Sequence, residues 1–182
     1  KFIFLFISFL TLTLSHGSVV THIIPLLLER KLLGGLEVLF SSLIGPMQVF
    51  GRLAMIALQG RKFSINSISI LIFLFKAFAV GCLLIAGNNI FFIVLFIMFM
   101  GAGAGMTSIS RAVVVADLMG YDRFASISGI IAVGAIGGSA VAPVFGAQLW
   151  ELGGYDLMLK IVLIILFIGL INYFTALKLN KK

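Results

Sequence analysis

Apolar residues gather into six long runs along this chain, at about residues 2–28, 36–58, 64–86, 90–113, 124–149 and 158–177, parted by short charged breaks. Each run has the roughly 20 mostly apolar residues that a helix needs to cross a hydrocarbon core of about 30 Å. The pattern predicts an all-α membrane protein, a single bundle of six transmembrane helices over residues 1–182. Polar positions inside the runs are periodic as well. Ser8, Thr11, Ser15, Ser18 and His22 recur at spacings of three and four, which sets them on one helix face. Glu37, Ser41, Gly45, Gln48 and Arg52 do the same in the second run. The fourth carries Gly101, Gly103 and Gly105, then Thr107, Ser108 and Arg111; the fifth carries Gly134, Gly137, Gly138, Ser139, Pro143 and Gly146. The third and sixth are almost wholly Ile, Leu, Phe and Val, interrupted mainly by Lys76 and Asn172. Four helices therefore have a small or polar face to turn inward, and two suit a supporting, lipid-facing place.

Charge gives the helices a direction. Numbering the breaks alternately, one side collects Lys1, Arg52, Arg61, Lys62, Arg111, Arg123, Lys178, Lys181 and Lys182. The other collects Arg30, Lys31 and Lys160, with Glu29, Glu37, Glu151 and Asp156 beside them. The positive-inside rule then predicts both ends of this segment in the cytoplasm, in a multi-pass protein of the cell (plasma or inner) membrane. A hydrophobic share of 62%, a charged share of 10% and a mean hydropathy of +1.25 separate the chain from soluble domains. The net charge of +7 is spread over short loops at one face, which argues for topology and against a nucleic-acid partner. One cysteine, Cys82, builds neither a disulfide framework nor a multi-Cys metal site. Lys1 and the apolar residues after it resemble a secretory signal. The run continues to Leu28 with no small-x-small cleavage pattern, so a membrane helix is the better reading.

Lipid supplies no hydrophobic drive between helices, so close packing of small residues and interhelical hydrogen bonds hold a bundle together. Gly101/Gly105 and Gly134/Gly138 are small-xxx-small pairs suited to that, and Pro143 is expected to bend its helix, as Pro25 and Pro46 do theirs. Three segments carry a family resemblance. They are Gly45–Arg52 followed by Gln59-Gly60-Arg61-Lys62, Gly101–Arg111 followed by Ala116–Gly120, and Ser128-Gly129 through Pro143 and Gly146 to Gly153-Gly154-Tyr155. Together they resemble the C-terminal six-helix half of a major facilitator superfamily transporter. Met55 stands near the place of the acidic residue often found in that family's loop motif, so the motif's charge pairing does not carry over. The resemblance implies a twelve-helix fold around a central cavity, alternating access, and an N-terminal half of the same protein beyond this segment. It also implies that the first, second, fourth and fifth helices border the cavity.

Enzyme chemistry finds no footing here. HExxH, CxxC, GxSxG and phosphate-cradling loops are absent from the sequence, which implies no cofactor and no metal. For a transporter, ionisable and polar groups within the spans are the candidates, because placing them in lipid is costly. His22 suits solute binding or a proton relay, its alternative being an interfacial histidine bonded to backbone or water. Gln48 can donate to and accept from a solute. Arg52, one turn on, reads as a topology anchor or an anion contact. Thr107 and Arg111 share a face, and Arg111 offers a fork for a carboxylate or phosphate, or a pair with Asp117 that closes the cytoplasmic side. Lys76 lies on a helix expected to be peripheral, where it can snorkel or pair at a helix interface.

The expected function is secondary-active transport of a small solute. Arg52 and Arg111 tilt that solute toward an organic anion, and His22 suggests protons as the coupling ion. The competing readings are a membrane-embedded interaction subunit and an inactive, truncated half-transporter. A channel would need a filter segment between spans, and none is visible.

Overall fold

The computed structural model describes residues 1–31, 34–61, 63–87 and 89–180, so Lys62, Lys181 and Lys182 lie outside the described residues. Helices make up the fold: α1 (Phe2–Glu29), α2 (Glu37–Ser42), α3 (Ile44–Gly60), α4 (Ile65–Ile85), α5 (Ile90–Met119) and α6 (Phe124–Lys178). Among the described residues there is no strand. Five stretches are long and apolar enough to cross a membrane: α1, the α2–α3 pair, α4, α5 and α6. That is compatible with an integral membrane protein of the α-helical kind.

The helix ends follow local chemistry. Ser64 Oγ accepts from Ser67 N at 3.1 Å to open α4, and Asn89 Oδ1 accepts from Phe91 N at 2.9 Å to open α5. α5 runs past the apolar run, which ends near residue 113, until Gly120 at φ 75° stops it. The second run splits at Leu43 into α2 and α3. Pro46 has no N–H to offer the carbonyl of Ser42, so the hydrogen-bond ladder loses a rung where the split falls.

The last two runs, expected as separate helices, form one 55-residue element, α6, whose backbone leaves helical values at Gly153 (φ −169°, ψ 26°) and Gly154 (φ 71°, ψ −175°). The chain reverses there. In the first arm, residues 124–152, Gly134 lies on Phe6, Gly138 on Leu10 and Gly146 on His22, so this arm runs parallel to α1. In the second arm, residues 155–178, Gly169 lies on Thr11 and Asn180, just past the arm, accepts from Lys1 Nζ at 2.7 Å, so this arm runs antiparallel. α1 packs against both arms, α5 lies between α3 and α4, and α4 also touches α6. Leu5, Leu12, Val19, Leu26, Phe96, Val114 and Met158 are among the side chains of the resulting core.

Small residues set the closest approaches. A Cβ added at Gly105 would run into the backbone of Gln48, and one at Gly101 would lie 2.7 Å from Ile44 O. A Cβ at Gly138 would meet Leu10 O at 2.8 Å. The polar stripe of α1 belongs to this packing and not to a cavity. Ser8, Thr11, Ser15 and Ser18 are all buried. Ser8 donates to Phe4 O at 2.7 Å and Thr11 to Ile7 O at 2.8 Å, within their own helix. A hydroxyl satisfied that way behaves as a small packing residue.

Candidate functional site

A cavity of about 270 Å³ opens where α1, α3, α4 and α5 meet. From α1 come Phe9, Thr13 and His16, which share one face at spacings of four and three. α3 supplies Gln48, α4 supplies Lys76, and α5 supplies Ala104, Thr107, Ser108 and Arg111. His16, Gln48, Lys76 and Ala104 each lie near the midpoint of their apolar stretch, and Arg111 lies closer to the end of its helix. His16, Gln48 and Lys76 thus gather near one depth, with Arg111 about two helical turns from Ala104 toward the end of α5.

Lys76 is the most deeply placed of them, with 1% of its surface exposed. Its stem lies against α5 because Gly103 has no side chain: a Cβ there would come within 3.1 Å of Lys76 Cγ. His16 Nδ1 lies 3.4 Å from Met100 Sδ, an acceptor only, so the imidazole donates an N–H···S bond across to α5. Thr107 Oγ1 donates to Gly103 O at 2.6 Å and Ser108 Oγ to Gly105 O at 2.7 Å. Both hydroxyl protons are therefore engaged within α5. Neither Lys76 nor Arg111 has a carboxylate partner among the described residues, where the one ion pair joins Arg30 to Asp156 at 2.5 Å. Asp117 instead accepts from Asn66 Nδ2 at 3.0 Å.

Of the residues singled out from sequence, Gln48, Thr107 and Arg111 come together at this cavity. Arg52 does not; it is exposed, one turn beyond Gln48 on α3. His22 does not either. It is half-buried between α1 and the first arm of α6, where Nε2 donates to Pro143 O at 3.0 Å and the ring lies 6.3 Å from that of Tyr155. Pro143 sits inside a helical stretch, and the non-helical backbone of α6 falls at Gly153 and Gly154. Gly101 and Gly105 form the α3–α5 contact, and Gly134 and Gly138 the contact of α1 with α6. Sequence reasoning left His16 out and placed Lys76 on a peripheral helix. The signal for His16 was there, in its one-face spacing with Phe9 and Thr13.

No family model, curated protein or solved structure matches the chain.

Proposed function

We propose that this chain is the C-terminal six-helix half of a major facilitator-type secondary transporter, moving a small solute by alternating access. The observation that carries the proposal is the cavity at mid-depth, where Gln48, Lys76, Thr107 and Arg111 converge from three helices inside an apolar bundle. Intramembrane polar groups are costly unless they face water or a solute, and transporters place their sites near the midplane. In this reading each arm of α6 crosses the membrane, giving six spans with both ends cytoplasmic; His22, on which the expectation of proton coupling rested, lies outside the cavity. The apolar side chains left exposed on α3 (Val49, Phe50, Leu53 and Ile56) face lipid or the N-terminal half.

Cysteine accessibility tests it. In a Cys82→Ala background, Ser108→Cys on the cavity wall is expected to react with a membrane-impermeant maleimide added from either side. Reaction from one side alone removes alternating access, and reaction from neither removes the pathway. Sequencing upstream of the Lys1 codon tests the half-transporter part. A continuous frame with six further apolar runs is expected, and an unrelated sequence there counts against it.

A further inference from the structure

We infer that the cavity binds a small free oxyanion, a carboxylate or phosphate compound of a few heavy atoms, held between Lys76 and Arg111. This rests on the same cavity as the transport reading and adds the class of solute. Charge balance carries it. Lys76 is buried to 1% exposure, and the cavity it lines also receives Arg111. All six Asp and Glu side chains lie among the described residues, and none pairs with either cation. Asp156 is taken by Arg30, Asp117 by Asn66 and Glu29 by the Trp150 indole at 3.3 Å. An ammonium withdrawn from water is costly without a counter-charge, and none is supplied among the described residues. The space between the cations is left for a ligand to supply it.

The donors suit an oxyanion. Lys76 presents a compact charge with three N–H groups, and Arg111 presents a planar fork that takes two oxygens at once. The Gln48 amide adds a neutral donor at the same wall. Thr107 and Ser108 direct their protons to their own helix, so nitrogen groups are left to do the holding. At about 270 Å³ the space is at the small end for a ligand pocket, which favours a few heavy atoms over a drug-sized molecule. Arg52, the second cation on which the sequence-based expectation of an anion rested, is exposed and outside the cavity. Lys76 takes its place.

The test is equilibrium dialysis of the protein in phosphatidylcholine nanodiscs against radiolabelled succinate, benzoate and phosphate, with choline and glycerol as controls. At least one anion is expected to bind and neither control to do so. Lys76→Met and Arg111→Gln, each first shown monodisperse by gel filtration, are expected to weaken binding at least about tenfold, the scale of a lost charge-assisted hydrogen bond. Lys76→Arg keeps the charge and is expected to recover part of the loss. Thr175→Ala, on α6 and outside the cavity, is expected to leave affinity unchanged. The inference is overturned if none of the three anions binds to the unmodified protein, if choline binds equally well, or if both charge-removing variants bind as tightly as the original. The wild-type measurement alone decides the first two points, whatever the variants do. Anion binding without flux into liposomes upholds the site and removes the transport reading. Flux of glycerol without anion binding removes the oxyanion inference and leaves transport standing.

Discussion

At the scale of single residues, buried polar groups in this bundle divide by whether they have a partner. Ser18 Oγ shares its proton between Leu14 O at 2.9 Å in its own helix and Ala142 O at 3.1 Å across the interface, while Ser15 Oγ and Ser110 Oγ are buried with no partner among the described residues. Ser18→Ala is therefore expected to destabilise by about 0.6 kcal/mol, typical of an interhelical hydrogen bond in a membrane protein. Ser15→Ala and Ser110→Ala are expected to be neutral or stabilising, since each removes a desolvated hydroxyl that gains nothing in return. Thermal unfolding in one detergent compares all three, and equal losses would show that the partnered hydroxyl has no special weight. Lys76 is the extreme case. Replacing a buried, unpaired ammonium by a thioether of similar length is expected to raise the unfolding temperature, by the equivalent of about 1–4 kcal/mol. A lower unfolding temperature for Lys76→Met would mark the amine as a structural strut.

Between elements, the glycines do unequal jobs. Gly105 brings α5 against the backbone of Gln48 on α3, whereas nothing lies within 4 Å of a Cβ added at Gly137. Gly105→Ala is expected to cost about 1–3 kcal/mol, because backbone on the facing helix cannot yield as a flexible side chain would. Gly137→Ala is expected to be neutral or stabilising by up to about 1 kcal/mol. The two glycines look alike in sequence, so a comparable loss at both would contradict the helix contacts described. Gly154 is a third kind: its Cβ would meet nothing, but its φ of 71° belongs to the left-handed region. Gly154→Ala is expected to cost about 1–2 kcal/mol through the backbone alone, read by the same thermal unfolding.

For the whole molecule, polar ties are sorted by height. One end has the Lys1–Asn180 bond, and the Asn66 amide that donates to Asp117 and accepts from Tyr173 Oη at 3.0 Å. The other end has Arg30, which donates to Asp156 and to Leu83 O at 2.6 Å, and Trp150, which donates to Glu29. The cavity lies between these two belts, and apolar packing fills most of the remainder. If the bundle sits across a membrane, single cysteines at Lys1 and Asn180 are expected to label from the same side and one at Glu151 from the opposite side. Labelling of Lys1 and Asn180 from opposite sides would break the reversal at Gly153–Gly154.

The all-helical character was written in the sequence, since a run of apolar residues long enough to cross lipid can satisfy its backbone only as a helix. Where the helices break and end was not, as the split at Leu43 and the extension of α5 to Met119 show. The residues at two of these points were visible, Gly120 after α5 and the Gly153–Gly154 pair within α6. Periodicity set Ser8–His22 on one face of α1, whereas the stripe expected from Glu37 to Arg52 is divided by the break at Leu43. What each face meets was decided only by packing. A stripe of serines looks the same whether it lines water or lies against glycines, and on α1 it lies against the two arms of α6. The same limit hid Lys76: an isolated lysine in an apolar helix has no periodic partner on its own strand of sequence. Gly103, which makes room for its stem, and Arg111, which lines the same cavity, stand on another helix, and only the tertiary fold brings them to one site.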